Sequence, residues 1–238
     1  YHKVVDTSQH GIPQCRARWY CVCIRKDVDN GSFSFPHAIP CLDIDQVLEK
    51  RNVILPQDQT KNVTTQMKLL KRLNKDPMKD TYIIDMDAAQ SAVKSIKGLS
   101  PCITRSRYRG HWITSQSRRF TLEEMFRLQG MDHTKFYPSV STAELGKQIG
   151  NSMSVNVLER ILCRALVATQ IVKKESISDR WESGEAQRRI LKAVGKGFNF
   201  RSIAPVTQVI ISEMRTWLID TGLSLIHISE PTRLAGIS

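Results

Sequence analysis

The sequence predicts an α/β chain, and three observations carry that expectation. Residues 17–24, Ala17-Arg18-Trp19-Tyr20-Cys21-Val22-Cys23-Ile24, are rich in aromatic and β-prone side chains and follow a turn-like His10-Gly11-Ile12-Pro13-Gln14 stretch, as a strand would. Residues 120–130 carry both ends of a helix. Thr121 is placed to cap the amide three residues on, Glu124 to reach back, and Gly130 to terminate it. Residues 154–171 suit a longer helix, with Met153, Val157, Ile161 and Leu158, Leu162, Leu166 lining an apolar face.

The remaining elements follow in chain order. Tyr1-His2-Lys3-Val4-Val5 reads as a strand, and a chain that opens inside a strand without Met is expected to lack its amino-terminal part. Arg25-Lys26-Asp27 closes the strand at 17–24. Residues 28–40, with Asn30-Gly31, Pro36 and Pro40, read as loop. Asp43 to Arg51 suits a short helix, and residues 60–75 another, with Met67, Leu69, Leu70 and Leu73 at helical spacing. Thr81-Tyr82-Ile83-Ile84-Asp85 suits a strand. Phe120 and Met125 are placed as a hydrophobic staple around the capped helix. Gly150-Asn151 reads as a tight bend before the last long helix. Beyond Lys173 the chain is basic and weakly patterned, with one more helix expected over 206–219. The tail from Ser224 to Leu234 resembles translated sequencing-adapter read-through, so 224–238 is expected to be non-native.

Charge narrows the partners. Thirty-five Lys and Arg stand against 23 Asp and Glu, for a net charge of +12 and a pI near 9.6. Such an excess favours a polyanion, although a solvated basic surface has the same composition. The six cysteines include no C-x-x-C pair, which argues against a zinc ribbon and leaves no metal site to propose. Most sit among apolar neighbours and read as buried thiols, which suits a reducing, intracellular compartment. Cys21 and Cys23 share one face of their strand. No signal peptide and no apolar run long enough to cross a bilayer is evident, so no membrane partner is expected.

Three segments carry candidate chemistry. Arg16 and Arg18, two apart, project to one side of a strand that should be buried. A buried guanidinium needs a partner, and its planar fork suits a phosphate or a base carbonyl. Between Ile103 and Arg119, Arg105, Arg107, Arg109, Arg118 and Arg119 are interleaved with Tyr108, His111 and Trp112. That mixture suits nucleic-acid backbone contacts plus stacking, and equally a basic loop with core aromatics. At Gly150-Asn151 a glycine lets backbone approach a ligand while the next helix offers free amides; an ordinary turn is the plainer reading.

Three blocks, in order, resemble motifs of the cytosine-C5 DNA methyltransferase family. Gly11-Ile12-Pro13-Gln14-Cys15-Arg16-Ala17-Arg18 resembles its eighth motif, Gln-x-Arg-x-Arg before a hydrophobic strand. Arg119-Phe120-Thr121-Leu122-Glu123-Glu124-Met125-Phe126-Arg127-Leu128-Gln129-Gly130 resembles the ninth. Gln148-Ile149-Gly150-Asn151-Ser152-Met153-Ser154-Val155 resembles the tenth. The resemblance covers residues 1 to about 170. It implies an α/β fold that comprises the end of a Rossmann-like methyltransferase domain, dependent on S-adenosyl-L-methionine, plus a small target-recognition domain. Residues 1–26 would end the catalytic domain, 27–140 would form the recognition domain, and 141–172 would return to the catalytic domain. Residues 173–223 would be a basic extension.

The resemblance also implies roles. Arg18 would hold an extruded cytosine and stabilise charge at its ring carbonyl, with Arg16 organising the pocket. Gly150, Asn151 and Met153 would line the S-adenosyl-L-methionine pocket. Arg119 would touch nucleic-acid backbone or pin the recognition domain. Family chemistry needs a thiolate that attacks C6 of the base, from a Pro-Cys motif ahead of the first block, and a glutamate from a Glu-Asn-Val motif. Neither motif appears here. Pro101-Cys102 lies on the wrong side of the first block and has no Glu-Asn companion, so this chain is not expected to transfer a methyl group alone. The implied activity is cytosine-C5 methylation of DNA in the nucleus. A tRNA methyltransferase of the same family, or a relic that binds nucleic acid without chemistry, are the alternatives.

Overall fold

The computed structural model describes residues 1–50 and 60–198, together with the backbone of 223–228. It is a mixed α/β structure with two small sheets. In the first, β1 (His2–Asp6) pairs antiparallel with β2 (Ala17–Ile24), in the register Val4 to Trp19 and Asp6 to Ala17. β2 alternates as its sequence demands: Arg18, Tyr20 and Val22 are buried while Ala17, Trp19 and Cys21 are half-buried. The other edge of β2 pairs antiparallel with β7 (Leu223–Ile228). This is part of the adapter-like tail, an apolar run that satisfies the hydrogen-bonding edge β2 would otherwise leave open. The helix expected over 206–219 lies outside the described residues.

The second sheet has the order β4 (Ser95–Lys97), β3 (Tyr82–Ile84), β5 (Trp112–Ile113), β6 (Arg118–Arg119), all antiparallel. Two helices precede it. α1 (Ile44–Val47) is shorter than the expected 43–51, because Leu48 turns to extended backbone at ψ 154°. α2 (Lys61–Arg72) matches the helical spacing read over 60–75.

α3 (Leu122–Leu128) forms as its caps predict. Thr121 Oγ1 accepts from the Glu124 amide and Glu124 accepts from the Thr121 amide, closing the capping box. Gly130 takes φ +77° just beyond the end. Phe120 and Met125 are buried together in the largest core cluster, with Ile44, Val47, Ile83, Ile113 and Leu128.

α4 (Thr142–Asn151) was not expected. Gly150 and Asn151 are its last residues rather than a bend, and the bend falls at Ser152 and Met153, before α5 (Val155–Ala168). α5 buries Val157, Ile161, Ala165 and Ala168 against Val5, Tyr20 and Val22 of the first sheet. The core face therefore lies beside the expected leucine row: Leu158, Leu162 and Leu166 are only half-buried. The basic extension also folds. Trp181 and α6 (Glu185–Lys192) bury Ile190 and Ala186 against Ile12.

Candidate active site

The segment 14–18 enters the interior because its polar side chains replace missing backbone partners. Gln14 is fully buried. Its Nε2 donates to the Leu128 carbonyl at 2.6 Å, and its Oε1 accepts from the Ile103 amide at 3.0 Å. Arg16, 3% exposed, donates to the carbonyls of Ile103 at 2.6 Å, Ser152 at 2.7 Å and Gly150 at 3.3 Å. One guanidinium thus fastens the start of β2 to the loop at 103 and to the end of α4. Its burial pulls its pKa down, opposed mainly by Cys102.

Arg18, 6% exposed, donates from Nη1 to the Ala17 carbonyl at 2.8 Å and from Nη2 to Cys102 Sγ at 3.1 Å. Arg16 Nη1 reaches the same sulfur at 3.4 Å. The two arginines therefore do face one side and converge on a thiol. Beneath them Tyr20 is buried in the α5 core, and burial raises its hydroxyl pKa to about 12, against the opposing pull of the arginines.

A second polar chain links the end of β1, the end of α3 and the α4–α5 junction. Thr7 Oγ1 donates to Ser154 Oγ at 2.7 Å, Ser154 Oγ donates to Gln129 Oε1 at 3.4 Å, and Gln129 Nε2 donates to the Ile149 carbonyl at 3.0 Å. Asn156 Nδ2 donates to the His10 carbonyl at 2.7 Å. Gln129, Ser154, Thr7 and Asn156 were not singled out in the sequence. Gln129 and Ser154 lie inside the quoted blocks, so the signal was present: polar residues flanking apolar helices at positions that the fold buries.

Gly150 is buried, but the backbone it admits is the protein's own. A Cβ there would lie 2.3 Å from the Thr104 carbonyl carbon and 2.5 Å from the Arg105 nitrogen. Gly146, one turn earlier, meets the Tyr108 carbonyl oxygen in the same way, at 2.2 Å. The glycines thus seat α4 on the loop 104–108. Asn151 is exposed and Met153 half-buried, between that helix and the start of α5.

The basic cluster divides. Arg118 and Arg119 are buried. Arg118 Nη1 and Nη2 donate to both carboxylate oxygens of Glu124, at 2.9 and 2.8 Å. Arg119 donates to both oxygens of Asp87 and to the Gly110 carbonyl. Both guanidinium groups are thus engaged inside the protein, holding β6 to Glu124 and Asp87, as the pinning alternative for Arg119 would have it. Arg107, half-buried, pairs with Asp85 at 2.6 Å, while Arg105 and Arg109 are exposed. His111 and Trp112 are buried and Tyr108 is half-buried, so the aromatics are largely core.

The cysteines also differ from expectation. Cys23 is exposed and the other five are half-buried rather than enclosed. Cys21 and Cys23 do share a face, with sulfurs 3.8 Å apart. Among the described residues there is no cluster of metal-ligating side chains, and no helix long and apolar enough to cross a membrane.

Comparison with known proteins fits this geometry. A family model described as C-5 cytosine-specific DNA methylase matches residues 1–166. The chain is 28% identical over 174 residues to the Type II methyltransferase M.HhaI of Haemophilus parahaemolyticus, covering 67% of this chain and 50% of that protein. It is 31% identical over 163 residues to the Type II methyltransferase M.HaeII of Haemophilus aegyptius, covering 68% and 48%. A third relative, the Type II methyltransferase M.NgoBI of Neisseria gonorrhoeae, is 28% identical over 177 residues, covering 73% and 53%. The chain therefore spans about half the length of the curated relatives it matches. These relatives are bacterial and lend no support to a nuclear location.

Proposed function

The chain belongs to the C-5 cytosine-specific DNA methylase family. From that premise we propose that it is the carboxyl-terminal part of an S-adenosyl-L-methionine-dependent DNA (cytosine-5-)methyltransferase. It would contribute target recognition and part of the cofactor pocket. One observation carries the reading. Gln14 bonds the Leu128 carbonyl and Arg16 the Ser152 carbonyl, so the segments that resemble the eighth, ninth and tenth motifs meet beside a buried arginine pair.

Arg16 is the positioning residue, since its Nη donors are engaged by carbonyls. Arg18 is the residue that would meet the base. The sulfur its Nη2 now addresses is a weak acceptor, and exchanging it for a pyrimidine carbonyl oxygen favours binding of an extruded ring. Charge that develops on that oxygen would be stabilised by a guanidinium held in a water-poor setting.

Asn151 and Met153 fit the cofactor's methionine and adenosine parts. The exposed carboxamide offers a donor and an acceptor, and the half-buried Met an apolar wall. When bound, S-adenosyl-L-methionine supplies the methyl group. Gly150 is not assigned a contact, because its free face is filled by Thr104 and Arg105. Nucleic-acid backbone contacts fall to the exposed Arg105 and Arg109. The thiolate and glutamate of the chemistry would come from outside the three quoted blocks, in the part of the relatives' length that this chain does not span.

The test is methyl transfer by the reading frame that contains this chain, assayed on duplex DNA and on tRNA. Arg18→Ala is expected to lower turnover on DNA by roughly a hundredfold or more while leaving cofactor affinity unchanged. Unchanged turnover removes Arg18 from the site, and transfer to tRNA alone replaces the DNA reading.

A further inference from the structure

Beside α5 lies a groove of about 340 Å³ that none of this chemistry uses. Arg160, Cys163, Arg164 and Val167 form its floor, one stripe of the helix at i, i+3, i+4 and i+7. Ser32 and Ser34 line one wall, and Lys174, Ile177 and Asp179 the other.

Its charge is out of balance. Three cations face one carboxylate, and that carboxylate is already engaged: Asp179 Oδ2 accepts from Arg160 Nε at 2.6 Å, and its Oδ1 accepts from the Trp181 and Glu182 amides. Arg160 is 1% exposed. Its Nη1 donates to His10 Nδ1 and to the His37 carbonyl, yet its Nη2 is buried with no hydrogen-bond partner among the described residues. Arg164 Nε is buried and equally unpartnered. Two arginines at i, i+4 repel each other on a helix, so placing both there without a second carboxylate is unfavourable until an anion arrives.

We propose that this groove is an oxyanion site for a phosphate group, bound by the Arg164 guanidinium and Lys174, with Ser32 and Ser34 as hydroxyl donors and the buried Arg160 charge beneath them. The forked donors and the ammonium match the several oxygens of a tetrahedral phosphate group better than a single carboxylate. The site is independent of the methyl-transfer reading. The phosphate has two possible sources, a DNA phosphodiester or a free phosphate-bearing small molecule.

The test is titration calorimetry of the chain with inorganic phosphate at constant ionic strength, set by chloride. Arg164→Gln is expected to weaken binding by about tenfold, and Arg164→Lys to restore part of it, as loss of one charge-assisted bond requires. Lys174→Gln, at an exposed position, serves if Arg164→Gln does not fold, and is expected to weaken binding several-fold. A duplex arm separates the sources. If Arg164→Gln weakens DNA and phosphate together and phosphate displaces DNA, the source is the phosphodiester; if DNA binding is unchanged, it is the small molecule. Absence of phosphate binding, or identical titrations for the native chain and Arg164→Gln or Lys174→Gln, overturns the proposal.

Discussion

Replacing Gly150 by Ala tests the assembly of the site, because helix propensity and packing predict opposite signs. In a helix interior Gly→Ala ordinarily stabilises by about 1 kcal/mol. At Gly150 the new methyl would stand 2.3 to 2.5 Å from Thr104 carbonyl atoms and the Arg105 amide. These are backbone atoms, and the loop that holds them is tied by the Arg16 bond to Ile103 and the Gln14 bond to the Ile103 amide. It cannot yield as a flexible side chain would. Overpacking of this kind costs about 1–3 kcal/mol, enough to reverse the propensity gain. Net of the propensity gain, up to about 2 kcal/mol is lost, which for a chain of this size lowers the melting temperature by up to roughly 8 °C. Gly146→Ala strikes the Tyr108 carbonyl on the same face, so the two should be less than additive: once α4 has withdrawn from the loop, the second methyl finds room. Thermal and urea unfolding of both single variants and the double variant reads all three values. If Gly150→Ala raises the melting temperature, α4 does not rest on 104–108, and the placement of Ser152 beside Arg16 fails with it.

Acid should unfold the chain in two stages. His10 is held at about 4, first by burial and then by the Arg160 charge, so the unfolded chain binds its proton first. Stability should fall as pH drops from about 6.5 to 4, by up to roughly 3 kcal/mol, and His10→Gln should flatten that part of a denaturant–pH series. Burial would raise Asp85, but hydrogen bonds from His111 and Arg107 outweigh it and hold it at about 2, so its contribution is present above pH 4 and lost between about 4 and 2. Glu49→Gln leaves the fully buried Arg127 without its counter-charge, where Nη2 now meets Oε1 at 2.6 Å; a loss of about 3–5 kcal/mol in urea unfolding is expected, and a change below 1 kcal/mol would deny that the pair is buried. Cys102→Ser in the longer reading frame should retain methyl transfer, since the hydroxyl still accepts from Arg18; abolished turnover would instead make Cys102 the nucleophile.

The parts of the fold that were legible in the sequence are those set by neighbours in the chain. The α3 capping box uses Thr121 and Glu124, three residues apart, and β2 alternates at a period of two; both are local patterns. What was illegible depends on distant partners. Arg118 and Arg119 look like surface charge until Asp87 is seen to lie opposite Arg119 across 32 residues and Glu124 to close on Arg118. α4 was hidden by its own glycines, which local propensity counts against a helix. They are there because the loop 104–108 packs on them, so the residues that obscure the helix are the ones that place it. A legible start did exist, since Ser141 caps the Glu144 amide and the pair is three apart. The same reasoning bears on the site. Arg16 and Arg18 are conspicuous in sequence, but Arg16 is held by the Ile103, Gly150 and Ser152 carbonyls, groups that every residue carries and no motif encodes. Side-chain identity marks where chemistry belongs, and the backbone brought to it by α4 decides whether a ring can be held there.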